Sequence, residues 1–180
     1  MRFVEITENY KDKEKLFQLN EEAFPAEERI PSADLIKTLK ETGCDGWAAY
    51  DDDFVGFAAI LKGLDVAYLW FLAVRAEYQS KGYGSKILSM LGEKYADCQI
   101  ILDMEPILPD APNLEQRRKR LSFYLKNGYQ RAGYGLSYFD LDFEVLYKGT
   151  DFKAKEFLQL LHRIKTKKFI PKLYPLELCK

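Results

Sequence analysis

Val66-Ala67-Tyr68-Leu69-Trp70-Phe71-Leu72-Ala73-Val74 leads through Arg75-Ala76-Glu77-Tyr78 to Gln79-Ser80-Lys81-Gly82-Tyr83-Gly84, and Ser85 then opens Lys86-Ile87-Leu88-Ser89-Met90-Leu91. The first piece is apolar throughout, which predicts a strand buried on both faces. The last carries Ile87, Leu88, Met90 and Leu91 at helical spacing. Between them Gly82 and Gly84 remove Cβ atoms and permit positive φ, so successive N–H groups can point into one concavity. The unpaired first-turn N–H groups and the dipole of the helix favour a pyrophosphate there, and Lys81 adds a mobile positive charge. On spacing alone the turn is either such an anion site or a plain strand-to-helix connection, because Gly-x-Gly by itself is a weak signature. A P-loop is excluded, since Gly-x-x-x-x-Gly-Lys-Ser/Thr is absent. The dinucleotide fingerprint is excluded because Lys86 and Ile87 stand where a third glycine or alanine is needed.

Outward from this stretch the chain reads as one compact α/β protein. Its 180 residues, 47% of them hydrophobic, are enough to bury a sizeable core. A net charge of -1 does not advertise nucleic acid as a partner. Cys44, Cys98 and Cys179 are scattered and lack a Cys-x-x-Cys spacing, which predicts reduced thiols in a cytoplasm rather than disulfides or zinc. No apolar run is long enough to span a bilayer, so a soluble intracellular protein without a membrane partner is expected.

In order, Arg2 to Thr7 predicts a strand and Lys11 to Phe24 a helix ended by Pro25. Ser32 is expected to cap a second helix that Gly43 stops. Strands follow at Trp47 to Tyr50 and Phe54 to Leu61, around the turn Asp51-Asp52-Asp53. Beyond the central helix come a strand at Gln99 to Met104, a proline-marked loop, and a helix at Leu114 to Lys126 closed by Asn127-Gly128. Strands at Tyr129 to Ala132 and Tyr138 to Tyr147 and a last helix at Phe152 to Lys165 complete the reading.

Gln79-Ser80-Lys81-Gly82-Tyr83-Gly84, after a strand ending Leu72-Ala73-Val74, resembles the Gln/Arg-x-x-Gly-x-Gly/Ala signature of the GCN5-related N-acetyltransferases (GNAT). Phe123-Tyr124-x-x-Asn127-Gly128-Tyr129 resembles a second landmark of that family. The resemblance covers residues 1–147 and implies a mixed α/β, α+β-like fold. Its central sheet is twisted and mostly antiparallel, flanked by helices, with splayed central strands that admit pantetheine. Residues 148–180 are then an added C-terminal helical extension packed on the same domain. Acetyl-CoA is the implied cosubstrate, with Leu72, Ala73 and Val74 on the pantetheine and Gln79, Ser80, Lys81, Gly82, Tyr83, Gly84 and Ser85 on the pyrophosphate. No metal is implied.

An amine such as a lysine side chain, with a pKa of about 10.4, is protonated at neutral pH and must lose a proton before it attacks a thioester. The resemblance makes Tyr124 the acid that protonates the departing thiolate; the residues alone also allow a core role beside Leu121 and Leu125. For the base, alternation puts Asp103 and Glu105 on one strand face near its end. Both are candidates, beside solvated or loop-capping roles. The family's other solution, a glutamate in the central strand, is missing, because Tyr68 holds that position; a water-relayed base stays open. Glu27 and Glu28 lie in the connection that borders the acceptor in the family, where they would hold a cationic amine or simply be solvated. Arg117, Arg118, Lys119 and Arg120 form a wet helix face from which one member could meet CoA phosphates.

His162, the only histidine, has no triad or metal partners in the sequence. Lys165, Lys167, Lys168 and Lys172 make a basic tail that packs on the sheet, joins a homodimer or touches nucleic acid weakly. The implied activity is acetyl transfer from acetyl-CoA to a primary amine of a small molecule or protein by direct attack. The alternative is a non-catalytic acyl-CoA-binding or regulatory module.

Overall fold

A computed structural model describes residues 1–164 and 169–176. The architecture is mixed α/β. Eight mostly antiparallel strands and five α-helices form among the described residues. The chain divides into two compact units, Met1–Lys62 with Leu69–Ala96, and Gly63–Tyr68 with Asp97–Lys180.

The first unit holds β1 (Arg2–Glu5), α1 (Lys13–Ala23), α2 (Leu35–Thr42), β2 (Cys44–Asp51), β3 (Asp53–Lys62), the greater part of β4 (Val66–Val74) and α3 (Tyr83–Lys94). Strand β2 pairs antiparallel with both β1 and β3. A Cβ on Gly56 would collide with the carbonyl oxygen of Ala73, so glycine is what lets β3 and β4 close on each other there. Gly43, at φ 70°, ends α2 and donates its N–H to the carbonyls of Leu39 and Lys40. Ser32 does not cap that helix. Its hydroxyl donates to the Phe17 carbonyl (3.3 Å), and a short 3-10 turn over Ser32–Asp34 leads into α2 instead. Buried Asn20 donates to the Ile30 carbonyl (2.9 Å) and to Ser32 Oγ (3.2 Å), tying down the connection between α1 and α2.

The second unit holds the start of β4, then β5 (Gln99–Met104), α4 (Leu114–Lys126), β6 (Tyr129–Tyr138), β7 (Leu141–Lys148), α5 (Ala154–Leu161) and β8 (Lys172–Pro175). Strand β7 pairs antiparallel with β5 and β6. The sequence expectation that the β6 strand stops at Ala132 is overturned. Gly133, at φ 71°, makes a bulge rather than a turn, the register shifts between Arg131 and Gly135, and the strand runs on to Tyr138. The reversal falls on Phe139 and Asp140, at φ 54° and 60°. The predicted last helix is shorter than its apolar pattern; it buries Phe157, Leu160 and Leu161. Strand β8 pairs antiparallel with β6, Tyr174 lying against Gly135 and donating its hydroxyl to Asp142 (2.8 Å). No periodicity in the tail forecasts that strand, which is only four residues long. Lys165, Lys167, Lys168 and Cys179 lie outside the described residues.

No helix among the described residues is long and apolar enough to cross a membrane. No group of three or more His, Cys, Asp or Glu side chains among them is placed to hold a metal ion.

Candidate functional site

In the first unit, the turn between β4 and α3 carries two left-handed residues, Ser80 (φ 59°) and Gly82 (φ 83°). The first bond of α3 runs from the Lys86 N–H to the Gly82 carbonyl (3.1 Å), and no side chain caps the helix. Among the described residues the N–H groups of Tyr83, Gly84 and Ser85 therefore have no acceptor. Nothing lies within 4 Å of the place a Cβ on Gly82 would take. Unpaired donors at the positive end of a 12-residue helix, with open space before them, fit the pyrophosphate of acetyl-CoA.

The neighbouring side chains brace this turn. Gln79 donates from Nε2 to the Val74 carbonyl (2.9 Å), bending the loop back on the end of β4. Tyr83 donates its hydroxyl to Asp51 (2.8 Å), fixing the start of α3 to the β2–β3 turn. Ser80 and Lys81 are exposed. Leu72 and Val74 are half-buried while Ala73 and the residues before Leu72 are buried, so the end of β4 opens one face where the rest of the strand is closed. In the α1–α2 connection Glu27 is exposed and the Glu28 N–H bonds the Pro25 carbonyl (3.1 Å). Arg29 donates to the carbonyls of Glu21 and Phe24 (3.1 Å each), holding that connection in place.

The second unit separates the two carboxylates that alternation had put together. Strand β5 ends at Met104, so Glu105 leaves the alternation. Only 8% exposed, Glu105 accepts from Asn113 Nδ2 (3.1 Å) and pairs with Arg120, while Arg117 bonds Asn113 Oδ1 (2.7 Å) and the Pro106 carbonyl (2.8 Å). This network ties the start of α4 to the end of β5. It also uses two members of the basic run; of the others, Arg118 pairs with Glu115 and Lys119 is exposed.

Asp103 has a different setting. Tyr68 donates its hydroxyl to Oδ1 (2.5 Å) and Tyr138 donates to Oδ2 (2.8 Å). Burial pushes the carboxyl up to about 6, against the pull of both tyrosine bonds and of the backbone N–H of Asp103 itself. Tyr124 sits on α4, 8% exposed, with its ring edge-on to Tyr129 at 5.8 Å. Burial pushes the Tyr124 hydroxyl up to about 12; Arg120 acts to lower it and the charge of Asp103 to raise it. A phenol in this state keeps its proton at neutral pH and has it to give. Sequence reasoning marked Asp103 and Tyr124 but missed the two tyrosines on Asp103. The signal at Tyr68 was its place at the missing glutamate; Tyr138 lay in an aromatic strand with no assignable role.

A family profile described as "Acetyltransferase (GNAT) domain" matches residues 42–131, half of the chain. No curated protein matches the sequence. Among solved structures, a GNAT-family chain from Bacteroides thetaiotaomicron is 22% identical with a TM-score of 0.74, the match covering 91% of this chain and 96% of that one. An aminoglycoside 6'-N-acetyltransferase complexed with coenzyme A is 22% identical with a TM-score of 0.64, over 82% of this chain and 96% of that one. The ribosomal-protein-S18-alanine N-acetyltransferase from Escherichia coli is 17% identical with a TM-score of 0.60, over 84% and 94%. At such identities the likeness is one of fold. With the profile spanning β4, the glycine turn, Asp103 and Tyr124, the chain belongs to the GNAT family of acetyltransferases.

Proposed function

We propose that this protein transfers an acetyl group from acetyl-CoA to a primary amine of a small molecule or protein by direct attack. The observation that carries the reading is the row of unpaired N–H groups at Tyr83, Gly84 and Ser85 behind Gly82, in a chain of an acetyltransferase family. Acetyl-CoA supplies the acetyl group as a thioester, open to an amine nucleophile and able to release its sulfur as a thiolate. Gly82, Tyr83, Gly84 and Ser85 bind the pyrophosphate through the backbone; Gln79 shapes the loop, and Ser80 and Lys81 meet the phosphates from its exposed side. Leu72, Ala73 and Val74 lie along the pantetheine. Asp103 accepts the proton that the acceptor ammonium must lose, and Tyr124 protonates the leaving sulfur. Glu105, held by Asn113 and Arg120, is assigned to fixing α4 rather than to proton transfer. Glu27 and Glu28 receive a cationic acceptor. Thiols at Cys44 and Cys98 suit a reducing compartment, and we place the protein in the cytoplasm.

Two of the relatives are an aminoglycoside and a ribosomal-protein-alanine acetyltransferase. An acceptor panel therefore contains an aminoglycoside, a polyamine and a peptide with a free α-amino group, with release of CoA followed as free thiol. Turnover with one of them, reduced about 100-fold or more by Tyr124→Phe with acetyl-CoA binding retained, supports the reading. Unchanged turnover in that variant removes Tyr124 as the acid. Tight acetyl-CoA binding without transfer to any member favours the binding module.

A further inference from the structure

Tyr68 stands where a family glutamate is missing, and the structure gives it a carboxylate to hold. We infer that Tyr68 and Tyr138 form a clamp on the Asp103 carboxylate that positions it to take the proton of the acceptor amine, and that the C-terminal segment carrying Phe157 and Phe169 supports the clamp. The inference rests on the reading of Asp103 as the base.

The two hydroxyls take one oxygen each, at 2.5 Å from Tyr68 and 2.8 Å from Tyr138. One donor on each oxygen fixes the rotation of the carboxylate, which neither could do alone. The backbone N–H of Asp103 itself also acts on the carboxylate, so of about four lone-pair directions about one stays open. Both tyrosine rings are buried, Tyr68 at 0% and Tyr138 at 7% exposure, whereas Asp103 is only part-buried.

Each arm has its own support. The Tyr68 ring meets Phe157 of α5 edge-on, with centroids 5.4 Å apart. The Tyr138 ring stacks on Phe143 at 4.6 Å and meets Phe169 at 4.8 Å. Phe139, in the left-handed conformation that L residues rarely adopt, packs edge-on against the same Phe169 at 5.8 Å. The family profile ends at residue 131, so Tyr138, Phe157 and Phe169 all belong to the part of the chain beyond it.

The titratable groups that act on or around Asp103 are Tyr68 from β4, Tyr138 from β6 and Tyr124 from α4, and Arg120 bears on Tyr124. Val145 of β7 lies opposite Asp103 in the register, while α5 and the C-terminal segment contribute the rings of Phe157 and Phe169. In the proposed step the proton leaves the acceptor ammonium nitrogen for a free lone pair of Asp103. The nitrogen keeps the electron pair with which it attacks.

Tyr68→Phe and Tyr138→Phe keep the rings and remove only the donors. Protein carrying 13C-labelled aspartate gives the carboxyl titration of Asp103 by NMR, assigned by its loss in Asp103→Asn. The clamp requires an upward move of the Asp103 midpoint by about one pH unit in each variant, and a smaller one in Phe169→Ala. With the acceptor that turns over in the panel, the acid limb of kcat/KM should rise in step. At pH well above it each variant should still turn over several-fold more slowly than the parent, because one donor alone does not hold the rotation of the carboxylate. An Asp103 midpoint that stays put in both phenylalanine variants overturns the clamp. A uniform loss of rate at every pH, with the limb unmoved, marks a merely structural role and also overturns it. A carboxyl midpoint that moves while Asp103→Asn retains the parent's rate and acid limb shows instead that the base reading has failed, and the positioning role with it.

Discussion

Burial sets Asp103 apart from a solvated carboxylate. Burial raises its pKa, so the folded protein binds a proton there more tightly than the unfolded chain does. Folding therefore takes up a proton between the ordinary aspartate range and about 6, and this group's contribution to stability falls as pH rises through that window. Comparing Asp103→Asn with the parent by urea unfolding at several pH values isolates the effect. The parent should lose on the order of 2 kcal/mol relative to the variant between about pH 4 and 7, and the variant should lose about 100-fold in turnover at neutral pH. Parallel stability curves would show that Asp103 does not titrate as described. Glu105 illustrates what residue-level reading can and cannot do. Two carboxylates two positions apart suggest a shared face, but that rule holds only while the strand continues, and the strand ends at Met104. Nothing in the local sequence says that Asn113 and Arg120 return to Glu105 from the far side of a proline-rich loop.

At the scale of elements, the strand–turn–helix from β4 to α3 was legible, because hydrophobic runs and glycines are local signals, although the helix starts at Tyr83 rather than at the expected Ser85. Gly82→Ala should cost about 1 kcal/mol of stability for the left-handed backbone, and should weaken acetyl-CoA binding more than tenfold in calorimetric titration. Equal affinity would dissociate this turn from the cofactor. The pairing of β3 with β4 makes a second claim. Gly56→Ala places a Cβ against the Ala73 carbonyl, a backbone atom that cannot swing away, so a loss of about 2–4 kcal/mol in chemical unfolding is expected. A loss under about 1 kcal/mol would mean the two strands sit farther apart. The β6–β7 hairpin and β8 were not legible, for a common reason. Gly133 and Gly135 look like turn residues, yet one makes a bulge and the other leaves space for Tyr174. The true reversal uses Phe139 and Asp140, which no turn propensity favours as a pair. Long-range pairing decided both. Helix α5 was found from its apolar stripe, and its buried Phe157 should cost about 3–5 kcal/mol as Phe157→Ala, read from urea unfolding.

For the molecule as a whole, the order of elements and two separated landmarks were enough to indicate a GNAT-like fold, and the family profile over residues 42–131 agrees. The acceptor was not legible. Glu27 and Glu28, which we propose receive the amine, lie on a connection whose neighbours are set by tertiary packing rather than by local pattern. The net charge of -1 gives no field that would single out one class of acceptor. The central claim, that acetyl-CoA is the cosubstrate, does not depend on knowing the acceptor. Its most direct test is the thermal unfolding midpoint of the purified protein with and without acetyl-CoA. At about a hundred times the dissociation constant, bound acetyl-CoA should add roughly 2.7 kcal/mol and raise the midpoint by several degrees. An unchanged midpoint, together with no heat in calorimetric titration, would contradict the account.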